Sequence, residues 1–477
     1  MKGRRLNTGS SSTLKWIIAW KARLLLALQV WLVLLSQVWA QQSAQKYIEY
    51  PQISGKVRPL QLRGVPKWAT FDAELRARTE SQTGDDYIPG NDQLYELTRI
   101  YGGMEVRPLR YLTGYIQFMD THALGLPLKY TAANMRNTFD ARQVYLDFHM
   151  KQYTIRAGRQ ELKYGSERLV GISDWSNNSR SWDGFLGRVG DKNRLDLFAT
   201  SVVEVHPTSL DTHGAGLNFF GAVGTVGTWV PHAMIQPFVY VKTYPRVKSQ
   251  QGIFGTATVV TPGFEAAGGL PNGFDFDGMI AIQRGSYSND LIDASAGYIK
   301  AGYNLQKLFL KPRFLGEYDY ASGNTRRDLN KVNTFDQQYP SNHNAFGLTD
   351  QFGFQNIKQE RMNLDLTPAK YVTVLIQQEW LQVVSKFDSV YNGSAGMLVQ
   401  APATGFLSGD IGREFDASGK WVIRDYLVMN AGVAHFSPGT LMRENAHGAP
   451  QTLIYFGLTY RFKVNHKDAL SAPSSAP

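Results

Sequence analysis

Over residues 71–80 the odd positions Phe71, Ala73, Leu75 and Ala77 are apolar, while Asp72, Glu74, Arg76, Arg78 and Glu80 between them are all charged. Side chains on a β-strand alternate between faces, so this segment predicts a strand with one apolar face and one charged face. One such strand fits a soluble sheet equally well, but the pattern recurs. Ile100, Met104 and Val106 alternate with Arg99, Tyr101, Glu105 and Arg107; Leu112, Gly114, Ile116 and Phe118 with Thr113, Tyr115 and Gln117; Val144, Leu146, Phe148 and Met150 with Gln143, Tyr145, Asp147 and His149. Segments of about ten residues with one apolar face, repeated along a chain, are the mark of a transmembrane β-barrel.

The connections between these segments alternate in length. Those at 106–111, 150–153 and 190–194 are short, and those at 81–92, 120–139, 163–181 and 204–214 are long, as turns and loops at the two ends of a barrel do. Further on the rhythm falters. Residues 243–273, with Gly252, Gly255, Gly263, Gly268 and Gly269, read as one long connection, and counting on from there puts the long stretch 322–357 on the turn side. Either a strand is missed or one turn is long. At roughly 24 residues per strand and its share of loop, the chain beyond residue 40 makes about 18 antiparallel strands, with 16 the neighbouring choice, around a water-filled lumen. Near the end Ile454, Phe456, Leu458, Tyr460 and Phe462 alternate with other residues, which looks like the C-terminal assembly signal of bacterial outer-membrane proteins, although residues 463–477 follow it.

The first forty residues change how the charge is read. Lys2, Arg4, Arg5, Lys15, Lys21 and Arg23 precede a mostly apolar run over 24–35 and a cleavage-like Val38-Trp39-Ala40, so residues 1–40 read as a signal peptide cut near Ala40. That run is interrupted by Gln29 and is shorter than a spanning helix needs. Of the 50 basic and 40 acidic residues, six basic ones lie in it, leaving 44 against 40, and the basic pI ceases to suggest a nucleic-acid partner. The chain has no cysteine, which excludes a disulfide scaffold and thiolate chemistry. The expected organisation is a signal peptide over 1–40, a periplasmic lead-in over 41–66, an outer-membrane barrel over 67–462 and a flexible tail over 463–477.

One stretch is dense in motif-like residues: Arg156, Gly158, Arg159, Gln160, Glu161, Leu162, Tyr164 and Gly165, then Arg168, Gly171, Asp174, Trp175, Asn177, Arg180, Trp182, Asp183 and Gly184. It resembles the signature of the alginate-export family of outer-membrane porins. Arg76, Arg78 and Glu80 resemble that family's first strand, Glu317, Asp319 and Gly323 its mid-chain strand end, and Phe335, Tyr339, Pro340, His343, Gly347, Asp350, Gly353, Asn356 and Ile357 the loop that follows. The resemblance implies a monomeric barrel of near 18 strands. It also implies an arginine-rich constriction that passes an anionic polysaccharide such as alginate, with lumenal acids orienting the arginines.

The chemistry agrees. A polyuronate is a string of carboxylates, and guanidinium pairs with carboxylate in two-pronged fashion and stays charged. The candidate pore-lining residues are Arg76, Arg78, Arg99, Arg107, Arg156, Arg159, Arg168 and Arg180; the candidate orienting acids are Asp72, Glu74, Glu80, Glu105, Glu317 and Asp319. The bland alternative for each arginine is a salt bridge that stiffens the wall. Trp175 and Trp182 fit an interfacial girdle or loop packing better than a sugar-stacking platform. No Gly-x-Ser-x-Gly or His-Glu-x-x-His occurs, and Asp275, Asp277 and Gly278 are only a fragment of a calcium loop. No metal, cofactor or catalytic group is therefore expected. The expected partners are the anionic polysaccharide or oligosaccharide, outer-membrane lipid and periplasmic proteins of its export or uptake. A general or small-anion porin is the alternative, and a barrel enzyme using His343 and Asp350, or an adhesin, is the second class.

Overall fold

In the computed structural model, which describes residues 60–466 except 63, 326–329 and 344, the alternating segments form one antiparallel sheet that closes on itself. Its wall strands are β1 (Ala69–Thr83), β2 (Gln93–Leu109), β3 (Leu112–Leu124), β4 (Asn137–Met150), β5 (Tyr153–Gln160), β6 (Trp182–Gly190), β7 (Asn193–Glu204), β8 (Thr212–Val226) and β9 (Ala233–Lys248). They continue with β10 (Phe254–Gly269), β11 (Phe274–Tyr287), β12 (Asp290–Asn304), β13 (Arg313–Ala321), β14 (Ile357–Ala369), β15 (Val372–Val383), β16 (Asp410–Arg424), β17 (Leu427–Pro438) and β18 (Gln451–His466). The seam is β1 against β18, in register from Thr70 opposite Asn465 to Thr83 opposite Thr452. The result is a closed 18-stranded barrel, and a short α-helix, α1 (Thr440–Asn445), lies in one of its loops.

The missed strand is β10. Phe238 on β9 lies opposite Gly263, and a Cβ at Gly263 would come within 2.3 Å of its ring. That glycine makes room for a neighbour's aromatic side chain inside a strand, a use that reads in sequence as a loop. With β10 counted, the connection over 322–356 joins the other long ones at the same end of the barrel, and the two-residue turns at 110–111, 151–152, 191–192, 370–371 and 425–426 share the opposite end.

The signal peptide, most of the lead-in and residues 467–477 lie outside the described residues. Of the lead-in, Leu60–Leu62 forms a short strand parallel to Val464–His466, so the first residues of the expected tail continue the last strand. The outward face carries Leu75, Ile100, Leu146, Phe185, Ile280, Met362, Phe415 and Phe456, all exposed, as lipid-facing residues are.

Strands β5, β6 and β13 have 8, 9 and 9 residues, shorter than every other wall strand. Eight residues at ~3.3 Å each reach only ~26 Å along the strand. The loops that leave β5 and β13 therefore depart from the wall low, and both fold inward. There they pack Leu169, Val170, Ile172, Phe335, Phe346 and Phe354 against inward-facing Phe198, Phe219, Tyr240, Val259 and Ala281 of the wall. The long-loop half of the lumen thus contains an apolar core, which narrows the bore there.

Candidate functional site

The two inward loops, 161–181 and 322–356, join each other in mid-lumen. Val170 and Tyr339 form a parallel bridge in which the Gly171 amide donates to the Tyr339 carbonyl at 2.8 Å and the Tyr339 amide to the Leu169 carbonyl at 2.9 Å. Ser341 donates through its hydroxyl to the Glu167 carboxylate at 2.8 Å and through its amide to the Glu167 carbonyl at 2.9 Å. Trp175 of one loop lies flat on His343 of the other, with ring centroids 3.7 Å apart, and Arg78 of the wall covers the opposite face of the indole at 3.6 Å. Trp182 is fully buried and meets Tyr339 edge-on. Both tryptophans serve loop packing.

Arginines of the first two strands hold the first loop by its backbone. Arg76 donates to the carbonyls of Asp174 and Ser176, each at 2.8 Å, and to the Asn177 side chain at 3.2 Å. Arg78 donates to the Trp175 carbonyl at 2.7 Å and pairs with Glu80 at 2.6 Å. Arg99 bonds the carbonyls of Asp174 and Ser176 and pairs with Glu74 and Asp174. The alternation that points these side chains inward is the one legible in the sequence. Their convergence on residues 174–177 depends on a loop from elsewhere in the chain.

Arg168 at the tip of that loop reaches the far wall, where it pairs with Glu317 and, at 2.8 Å, with Asp319 of β13. Glu317 also binds Arg361 of β14 and lies 3.7 Å from Lys300. Arg180 donates to the carbonyls of Gly171, Tyr339 and Pro340 at 2.7, 2.8 and 3.1 Å. Burial pushes its guanidinium down to about 10. The second loop is held likewise, by Lys242 on Asp336 at 3.1 Å and by the Thr349 hydroxyl on Glu414 at 2.6 Å. The acids Glu80, Glu74, Glu317 and Asp319 pair with arginines; Asp72 instead accepts from the Tyr115 hydroxyl at 3.1 Å, and Glu105 pairs with Arg107 near the short-turn end at 2.8 Å.

Arg159 is the departure among the candidate residues. It shares a face with Ile155, which is exposed outward, and pairs with Asp183 at 2.8 Å, outside the lumen. The motif placed it with the loop, but strand alternation sends it to the other side of the wall.

The short-turn half of the lumen has a different arrangement, which sequence reasoning did not find. Arg461 of β18 pairs with Glu74, Arg156 of β5 with Asp147, Arg188 of β6 with Asp196, and Arg313 of β13 with Asp275. In each pair the arginine is the more exposed partner: 32% against 12%, 24% against 8%, 38% against 0% and 27% against 9%. Asp174, Asp365 and Glu161, exposed by 44%, 39% and 28% against 1%, 27% and 4% for their arginines, run the other way. Asp275 is thus committed to Arg313, and Asp277 accepts from Tyr298 at 2.8 Å. Among the described residues no three His, Cys, Asp or Glu side chains are grouped to hold a metal.

His343 does contact Asp350, Nδ1 to Oδ2 at 2.8 Å, within the second loop. The ring's stacking on Trp175 gives that pair a role in joining the loops. Asp174 supplies a pH test of the same junction. Burial raises its pKa, but Arg99, Arg76 and Arg461 outweigh burial and hold the carboxyl well below the usual range. A carboxyl depressed in the folded state contributes stability above its unfolded value, near ~4, and loses it as the pH falls further. Current noise in single-channel records is expected to rise by ~2-fold or more as the pH is lowered below ~4, and D174N is expected to be noisy already at pH 7.

A closed antiparallel barrel with an apolar outer belt, inward loops and a charged inner wall defines a membrane channel of the porin type. The model of the alginate-export family matches residues 67–456, and the chain belongs to that family. Among solved structures it is similar to OccK11 (OpdR) of Pseudomonas aeruginosa, at 12% identity and a TM-score of 0.54, covering 85% of this chain and 100% of that one. It is also similar to OccAB2 of Acinetobacter baumannii, at 11% identity and a TM-score of 0.55 over 83% and 98% of the two chains. The outer membrane protein opdK of Pseudomonas aeruginosa gives 11%, 0.56, 84% and 100% for the same measures. Identities this low speak for a shared fold. A search of curated protein sequences found no match. The chain is therefore an outer-membrane β-barrel channel.

Proposed function

We propose that this channel passes an anionic polysaccharide or oligosaccharide of the alginate type by passive diffusion, from one side of the bacterial outer membrane to the other, as a monomer. The observation that carries this reading is the polarity of the lumenal ion pairs, with Arg461, Arg156, Arg188 and Arg313 each turned toward the lumen in front of a more buried acid. Such a ring presents guanidinium groups to passing carboxylates from in front of the acids that hold them. The acid behind each arginine fixes its direction, so a polymer carboxylate meets a pre-oriented donor and moves on by exchange between neighbouring pairs.

The deeply buried arginines, Arg76, Arg78, Arg99, Arg168 and Arg180, act in this reading by setting where the inward loops stand, and hence the bore. The long loops face the exterior and the short turns the periplasm, by the usual barrel asymmetry.

Planar-bilayer recording tests this. The purified chain is expected to conduct with an anion-selective reversal potential in a KCl gradient, and added polyuronate of 4 to 10 residues is expected to reduce the current in a concentration-dependent way. A cation-selective channel indifferent to the polymer would overturn the proposal. Anion selectivity without polymer block would leave a small-anion porin instead. H343Q and D350N are expected to alter gating; if they instead abolished a polyuronate-cleaving activity, a barrel enzyme would be favoured.

A further inference from the structure

The outer wall carries a cavity of about 430 Å³ between β3, β4, β5 and residues 205–211, lined by Phe118, Phe139, Ala141, Val144 and Leu210. Local irregularities of the backbone build it. The β3–β4 register shifts between Gln117 and Phe118 and again between Met119 and Thr121, and Phe139 adopts a φ of 23° that side-chain-bearing residues rarely take. Bulges re-aim side chains, and strained non-glycine backbone persists only where surrounding structure holds it. Here the outcome is a parallel stack of Phe118 on Phe139, centroids 5.3 Å apart, with Phe139 and Leu210 standing 65% and 72% exposed.

The polar groups at the floor of the cavity are already committed. Arg159 donates to Asp183 at 2.8 Å, to the Ala141 carbonyl at 2.9 Å and to the Asp211 carbonyl at 3.3 Å. Asp211 accepts from the Asn137 side chain at 2.7 Å and the His206 amide at 2.8 Å, and Asp140 accepts from the Ala141 and Asp211 amides. A sugar or peptide would find no donor or acceptor waiting there. What the cavity offers is apolar surface, and its volume lies within the roughly 300–1,000 Å³ typical of small-molecule sites.

Position decides the occupant. Val144 lies six residues above Met150 on the same outward face, past exposed Leu146 and Phe148. At ~3.3 Å per residue that is about 20 Å along the strand, so the cavity continues the lipid-facing belt upward toward the long-loop rim. We propose that it holds one acyl chain of a bilayer lipid from the leaflet on the long-loop side, seated between the Phe118–Phe139 stack and Leu210 as a retained lipid, distinct from the freely exchanging annulus.

Reconstitution into vesicles of phosphatidylethanolamine and phosphatidylglycerol, re-extraction in detergent and native mass spectrometry test this directly. The wild-type chain is expected to keep one phospholipid through washing that strips the rest. Leu210→Asp, on an exposed loop, and Ala141→Phe, which fills the cavity, are each expected to lower the lipid-bearing fraction at least fivefold. Ile280→Trp, on the far wall, is expected to leave it unchanged. Heat-dependent mobility in dodecyl sulfate gels identifies the closed barrels to be compared. No retained lipid on the wild-type barrel, or equal retention in closed L210D and wild-type barrels, would overturn the proposal.

Discussion

Arg168→Ala is expected to be the most damaging single substitution in the channel. Its guanidinium, 3% exposed, neutralises Glu317 and Asp319, both fully buried, across the lumen from the wall strands that hold the rest of its loop. Removing one partner of a buried pair leaves uncompensated charge and costs about 3–5 kcal/mol. Arg361 and Lys300 remain near Glu317, which favours the lower end of that range, whereas Asp319 loses its ion-pair partner. The temperature at which the barrel unfolds in dodecyl sulfate gels should fall clearly. In bilayers the same variant should show larger and more variable conductance, because the first loop then loses its ion pairs to β13 and is held by the second loop and the near wall alone. Unchanged melting together with unchanged conductance would remove Arg168 from any role in positioning the loop.

The second large effect is expected on selectivity. Replacing Arg156, Arg188 and Arg461 together by Gln removes three lumen-facing cations and uncovers Asp147, while Glu74 keeps Arg99 and Asp196 keeps Arg194 at 3.7 Å. The anion-to-cation permeability ratio should drop about tenfold or invert, a change of ~1.4 kcal/mol or more, and block by polyuronate should disappear. The corresponding Arg76→Gln and Arg99→Gln changes should act mainly on open-channel noise, since those side chains are spent on loop carbonyls. Reversal potentials in a salt gradient separate the two classes. Equal loss of selectivity in both would mean that the buried arginines also face the permeating ion.

These expectations show where the sequence was informative. The direction of Arg76, Arg78, Arg99 and Arg156 was legible because each stands next to at least one apolar residue, Leu75, Ala77, Ile100 or Ile155, of the lipid-facing row that fixes the parity of its strand. Arg188 was not, since Asp183 and Gly187 interrupt the apolar face that Phe185 and Val189 form on β6. Arg461 was hidden inside a run read for its aromatic residues. Arg159 was misplaced because a motif spans strand and loop, and its residues were treated as one group although alternation divides them. The largest omission was the filling of the lumen. Leu169, Val170, Phe335, Phe346 and Phe354 sit in polar, glycine-containing loops without periodicity, and nothing local says that two such loops will meet. Their apolar content was the available signal: loops that stay in water have little use for five large side chains.

The seam between β1 and β18 has a consequence for how the molecule comes into being. Thr70 faces Asn465, so the barrel's closing contact joins positions nearly a whole chain apart, and Leu60–Leu62 lies on the same overhanging edge. Pairings this distant in sequence form slowly because the loop entropy must be given up first. While the C-terminal strand is still being delivered, β1 stands as an open edge able to pair with another chain. Lumenal packing is subject to the same order of events, since Arg168 finds β13 on the far side only after the wall has curled round. A nascent, unclosed form with its arginines unsatisfied would thus precede the channel, and a chain shortened before residue 451 would be expected to stop there.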